Sequence, residues 1–86
     1  MSEPYIVKFE GVEIHMLDGK FHRIGGPAIT IGNTQEWLVN GEYHRDDGPA
    51  RMYKDKGNHI EFWQNGKPIM NGKVDEDTFA KHWHTK

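Results

Sequence analysis

Gly19-Lys20-Phe21-His22-Arg23-Ile24-Gly25-Gly26-Pro27-Ala28 and Gly41-Glu42-Tyr43-His44-Arg45-Asp46-Asp47-Gly48-Pro49-Ala50 are one phrase written twice, offset by 22 residues (19 to 41). Self-similarity at such a period marks a repeat architecture, in which each unit is a supersecondary element that buries its apolar side against its neighbours. Both copies follow a two-residue turn signal, Asp18-Gly19 and Asn40-Gly41, and a third signal stands at Asn65-Gly66. Asp-Gly and Asn-Gly tolerate the positive backbone angles of a type I′ turn, so each predicts a tight antiparallel hairpin.

Fixing the turns fixes the register. The flanking pairs are Leu17 with Lys20, Val39 with Glu42 and Gln64 with Lys67; next come Met16 with Phe21, Leu38 with Tyr43 and Trp63 with Pro68. Alternation puts this second set on one side of the sheet, apolar in all three hairpins, and predicts that side as the buried one. His15 with His22, Trp37 with His44 and Phe62 with Ile69 then share a mixed, partly protected face. Arg23 and Arg45 fall on the face opposite Trp37. One step further out, Glu36 with Arg45 is the expected cross-strand ion pair.

Strands are expected at Tyr5 to Phe9, Ala28 to Ile31, Gln35 to Val39 and Ala50 to Lys54. The second unit is longer, 25 residues from Gly41 to Gly66 (66 − 41), and the third loses both the His-Arg pair and Gly-Pro-Ala, as terminal repeats do. The chain then changes character. Asp75 is placed to cap a short helix, with Glu76 and Asp77 in its first turn and Lys81 and His82 in its last. Phe79 and Trp83 form its apolar stripe, which predicts that it folds back over the end of the sheet. The expected fold is therefore mainly β, an antiparallel β-meander of repeated hairpins with one short C-terminal α-helix. It forms a single domain over residues 1–86: an N-terminal strand (1–10), hairpin repeats (11–72) and the helix (73–86).

Composition narrows the function. Eighty-six residues make one small domain, and three Trp, three Tyr and four Phe supply large burial per residue. Cysteine is absent, which excludes disulfides, thiolate metal sites and thiol nucleophiles. A net charge of -2 gives no general attraction to phosphate backbones, so nucleic acid is not an expected partner. Met1-Ser2-Glu3-Pro4 lacks the basic region and apolar run of a signal peptide, and no stretch is long and apolar enough to span a bilayer. The expectation is a soluble protein of the cytoplasm with no membrane partner.

The phrases WLVNGEYHRDDGPA and FHRIGGPA resemble the "NG-x-x-HR-x-x-GPA" repeats of uncharacterised proteins in tailed bacteriophages and giant viruses. The resemblance runs from about Gly11 to Gly72 and extends to the acidic helix that follows. The strand-turn-strand unit is also similar to the MORN repeat, whose consensus is not matched here, so MORN-like membrane binding is not carried over. Ile24-Gly25 departs from the acidic pair kept at Asp46-Asp47. The resemblance implies a phage accessory protein acting in the host cytoplasm, with no activity to transfer.

The His-Arg pairs are the sharpest candidates for a binding site. Cations beside aromatics hold phosphates, nucleotides or acidic loops; the same side chains also suit a structural part, donating to the Gly-Pro-Ala carbonyls. Trp37, His44, Arg45 and Phe62, with His22 and Arg23 as the repeated counterpart, are the candidate partner-binding residues. Trp37, Phe62 and Trp83 exceed what so small a core needs, unless the helix buries them, and aromatics with arginine anchor interfaces. His15 opposite His22 supplies two metal ligands without a third, so no metal or cofactor is expected. Glu36 and Glu61 occupy equivalent repeat positions, which repetition explains, and the one serine, Ser2, lies near the terminus; no catalytic residue is assigned. The expected function is non-catalytic binding and modulation of a host protein, in the manner of a host-takeover or anti-defence inhibitor. The alternatives are a small-molecule or nucleotide sponge and a virion component. A homodimer through a sheet edge is a further expectation.

Overall fold

The computed structural model describes residues 3–85. Ten strands and one helix follow in order: β1 (Pro4–Phe9), β2 (Val12–Leu17), β3 (Lys20–Phe21), β4 (Ile29–Ile31), β5 (Thr34–Glu36), β6 (Leu38–Val39), β7 (Glu42–Tyr43), β8 (Arg51–Lys54), β9 (Asn58–Gln64), β10 (Lys67–Val74) and α1 (Glu76–His82). The main sheet is antiparallel in the order β1-β2-β4-β5-β8-β9-β10, with β3 paired to the end of β2 and β6-β7 forming a separate small ribbon. The three turns are as the sequence demands: Asp18, Asn40 and Asn65 take φ of 54°, 53° and 51°, each followed by a glycine at positive φ.

The second hairpin tip, β6-β7, leaves the main sheet whereas β2-β3 stays in it, and the chain after Gly-Pro-Ala runs through the sheet as β4, between β2 and β5, or as β8, between β5 and β9. The expected strand Gln35 to Val39 is consequently broken. Thr34 to Glu36 pairs with β4 and β8, whereas Leu38 and Val39 pair with Tyr43 and Glu42, and Trp37 is the hinge. For the same reason Glu36 lies opposite Arg51, not Arg45. A bulge between Pro68 and Met70 likewise puts Met70, in place of Ile69, across from Phe62.

Residues directly opposite in an antiparallel sheet share a face. One face carries Gln35, Met52 and Ile60, and α1 packs there. Its core is Trp37, Ala50, Met52, Ile60 and Phe79, with Phe62, Val74 and Trp83 packed alongside. The other face carries Tyr5, Val7, Phe9, Val12, Ile14, Met16, Phe21, Ile29 and Ile31 over the first strands, then Glu36, Arg51, Tyr53, Glu61 and Trp63. Helix α1 packs on the opposite face, and β7 reaches the polar part of this one, where Tyr43 packs on Trp63 and bonds Glu36. The side expected to be buried is therefore only partly so: Leu38 is buried and Tyr43 and Trp63 half-buried, but Phe21 and Pro68 are exposed. The single helix can cover only one face, and it covers the one bearing Met52 and Ile60.

Asp75 caps α1 by accepting from the Thr78 amide at 2.8 Å, and the Trp83 amide closes the other end on the Phe79 carbonyl. The Lys54 ammonium and the Asn58 amide hold Glu76, at 3.0 and 3.1 Å, so the first turn of the helix is tied to β8 and β9.

Candidate functional site

The repeated motif builds two nearly identical joints. In the first, Arg23 Nη1 donates to the Pro27 carbonyl (3.3 Å), and in the second Arg45 Nη1 donates to the Pro49 carbonyl (3.1 Å). Each guanidinium thus closes the Gly-Gly-Pro or Asp-Gly-Pro loop from inside. Gly26 and Gly48 are required by this closure, because a Cβ there would come within 2.7 and 2.8 Å of the guanidinium carbon of Arg23 and Arg45. The prolines are fully buried, and Ala28 and Ala50 are inaccessible, each wedged where their amides donate to the Glu36 and Glu61 carbonyls.

The histidines link one unit to the next. His22 Nδ1 accepts from the Asn40 amide at 3.0 Å, and His44 Nδ1 accepts from the Asn65 amide at 3.1 Å. The following glycines complete the link, with Gly41 and Gly66 amides donating to the Phe21 and Tyr43 carbonyls. The second and third turns are therefore each held by the unit before them.

The two joints differ in what else the arginine holds. Arg23 reaches Glu13 at 3.5 Å, and Glu13 also bonds His15 at 2.6 Å. In the second unit Gln35 stands where Glu13 does, 22 residues on (13 to 35), and its amide exchanges bonds with the His84 backbone at 2.8 and 2.9 Å. Arg45, freed from a carboxylate on the strand, donates to the His82 carbonyl at the end of α1 (3.1 Å) and to Asp47 (3.2 Å). Its guanidinium lies 3.8 Å from the centre of the Trp37 ring. Arg45 and Trp37 therefore share a side, contrary to strict alternation, because the strand breaks at Trp37. Burial pushes the Arg45 pKa down from its ordinary value, against the opposing pull of Asp47.

Four candidate residues, Arg23, Trp37, His44 and Arg45, line a cleft of about 360 Å³ together with Asp46, Asp47 and His84. Trp37 is only 7% exposed, and polar side chains of the cleft already have partners: Arg45 holds Asp47 at 3.2 Å, and His44 Nε2 lies 3.0 Å from Asp46. His22 and Phe62 lie outside the cleft lining, His22 at the first turn link and Phe62 half-buried against the core. Trp83 stacks on Phe79 with ring centres 5.4 Å apart, so the helix covers the aromatics left over from the core.

Glu36 and Glu61 do come together, but around a cation. Arg51 donates to Glu36 at 2.9 Å and to Glu61 at 3.1 Å. Tyr43 donates to Glu36, and Tyr53 and Trp63 donate to Glu61. The bond to Glu36 raises the Arg51 pKa, while burial, then the Glu36 charge, raises that of Tyr43. This is a satisfied network on the open face, beside its apolar half. Among the described residues no group of three His, Asp or Glu side chains is placed to hold a metal, and no helix is long and apolar enough to cross a membrane. Ser2 lies outside the described residues.

The feature that sequence reading missed is the apolar half of the open face. Phe9 is 75% exposed and Tyr5 63%, with Phe21 and Ile31 also exposed and Val7, Val12, Ile14, Met16 and Ile29 half-buried between them. The signal was present in the alternation of Tyr5, Val7 and Phe9 and of Val12, Ile14 and Met16. It marked an apolar face without telling which face the helix takes. Compared with protein family models, curated proteins and solved structures, the chain matches none.

Proposed function

We propose that this protein is a non-catalytic viral accessory protein that binds and modulates a host protein, and that it does so with the apolar half of its open sheet face. The observation that carries this reading is the exposure of Tyr5, Phe9, Phe21 and Ile31, with half-buried apolar residues between them, on the face opposite α1. Contiguous apolar patches beyond a few hundred Å² on small proteins mark interaction sites. The neighbouring Tyr43, Tyr53 and Trp63, with Arg51, supply the aromatic and guanidinium composition that interfaces favour. The joints of the motif support a scaffold role for His22, Arg23, His44 and Arg45, since each already holds main-chain groups or a carboxylate.

The test is affinity capture from host lysate with three folded proteins: the native chain, a Phe21→Asp, Ile31→Asp double variant and a His44→Ala variant. One host protein retained by the native chain and by His44→Ala, but lost by the double variant, is the expected outcome. Its binding is then measured with purified components. Loss with His44→Ala alone would move the interface to the cleft. No retained protein at all would reject the reading in that host.

A further inference from the structure

The two edges of the sheet are not alike. β10 carries Lys67, Pro68, Lys73 and a bulge, the devices by which natural edges avoid pairing with other chains. β1 is different: its six residues pair with β2 without a register shift, and between Tyr5 and Phe9 its one charge is Lys8, which reaches Glu13 at 4.0 Å. Of those devices β1 carries Pro4 at its start and Lys8 near its end but no bulge, so Tyr5 to Val7 form a regular, uncharged stretch of edge.

Its sequence is also matched to itself. Tyr5-Ile6-Val7-Lys8-Phe9 places an aromatic two residues to either side of Val7. Phe9 and Val12 flank a two-residue turn, so their main-chain groups face each other, and alternation directs those of Phe9, Val7 and Tyr5 toward β2. Ile6 and Lys8 direct theirs outward, to the free edge.

We propose that β1 pairs with β1 of a second copy of this chain, antiparallel, about a two-fold axis at Val7. In that register Ile6 of each copy exchanges both main-chain bonds with Lys8 of the other. Val7 meets Val7, and Tyr5 of each copy meets Phe9 of the other in the closely spaced, non-hydrogen-bonded positions where aromatic cross-strand pairs pack best. An axis at Lys8 sets like charges against each other, and an axis at Ile6 removes the aromatic pairs. A two-fold centred on a residue also keeps the same face of both sheets on one side, so the apolar open faces join into one platform of twice the width. The pairing leaves that platform free and does not depend on the host-binding reading.

The test uses purified protein alone. Sedimentation equilibrium over a wide concentration range is expected to show self-association to twice the 10.0 kDa of one chain. Ile6→Pro, which removes an outward amide and leaves the bonds to β2 in place, is expected to remain monomeric with an unchanged circular dichroism spectrum. Because the chain has no cysteine, single cysteines report the register. Val7→Cys lies opposite itself at a separation a disulfide can bridge, and is expected to cross-link under mild oxidation at least tenfold faster than Ile6→Cys or Phe9→Cys. A native chain that stays monomeric at every concentration, a dimer that survives Ile6→Pro, or cross-linking without preference for position 7 would each overturn the proposal.

Discussion

At the residue scale the repeated motif is a set of solutions to one problem, how to reverse the chain tightly without leaving buried main-chain groups unpaired. Arginine reaches back to the proline carbonyl, glycine makes room for the guanidinium, and histidine satisfies the first amide of the next turn. The second arginine also holds the end of the helix, so the two copies are not energetically equivalent. Bonds from a charged donor to buried carbonyls contribute more than neutral ones, and removing the donor leaves the carbonyls unpaired. Arg45→Ala is therefore expected to lower unfolding stability by about 2 to 4 kcal/mol, and Arg23→Ala by about half as much. Urea titrations of the two variants measure the difference. Equal losses would overturn the expectation that the second joint is the stronger of the two.

At the element scale α1 decides which face of the sheet becomes the core. Its hold is partly electrostatic. Burial, then the guanidinium of Arg45 and the ammonium of Lys81, holds the His82 pKa below its ordinary value, with Asp47 pulling the other way. A histidine depressed in the folded state binds its proton more readily when unfolded. It therefore contributes stability above its ordinary pKa of about 6.5 and loses it as pH falls through the folded value. The Thr78 bonds and the Lys54 bond lower the Asp75 and Glu76 pKa values, and their contributions disappear at lower pH, in the carboxylate range. Thermal melts are expected to show stability falling between pH 7 and pH 5, with a shallower fall in His82→Gln. An identical slope in the variant would remove His82 as the cause.

At the scale of the whole molecule the core is unevenly placed. Met52, Ile60 and Phe79 centre it under α1, while β1 has five of its six residues exposed. Opening free energies follow buried contacts. Amides of β8 and β9 are expected to exchange slowest and those of β1 fastest, by about two orders of magnitude or more in protection. Hydrogen exchange read by mass spectrometry checks this, and raised protection of Ile6 and Lys8 with concentration would bear on the β1 edge at the same time.

The sequence by itself determined the repeat, the three turns, the register next to each turn and the capped helix. These rest on local chemistry: asparagine or aspartate before glycine at positive φ, and a carboxylate before an acidic first turn. Only the tertiary structure decided that the strand breaks at Trp37, that Arg45 turns onto the Trp37 ring and that Arg51 takes the place beside Glu36. Those outcomes depend on the strand after each Gly-Pro-Ala segment crossing to a non-local neighbour, which no local pattern encodes. The choice of covered face was decided the same way. Alternation marks apolar positions on both sides of this sheet, and one seven-residue helix buries only the side that its tethers, Arg45 to His82 and Gln35 to His84, bring within reach.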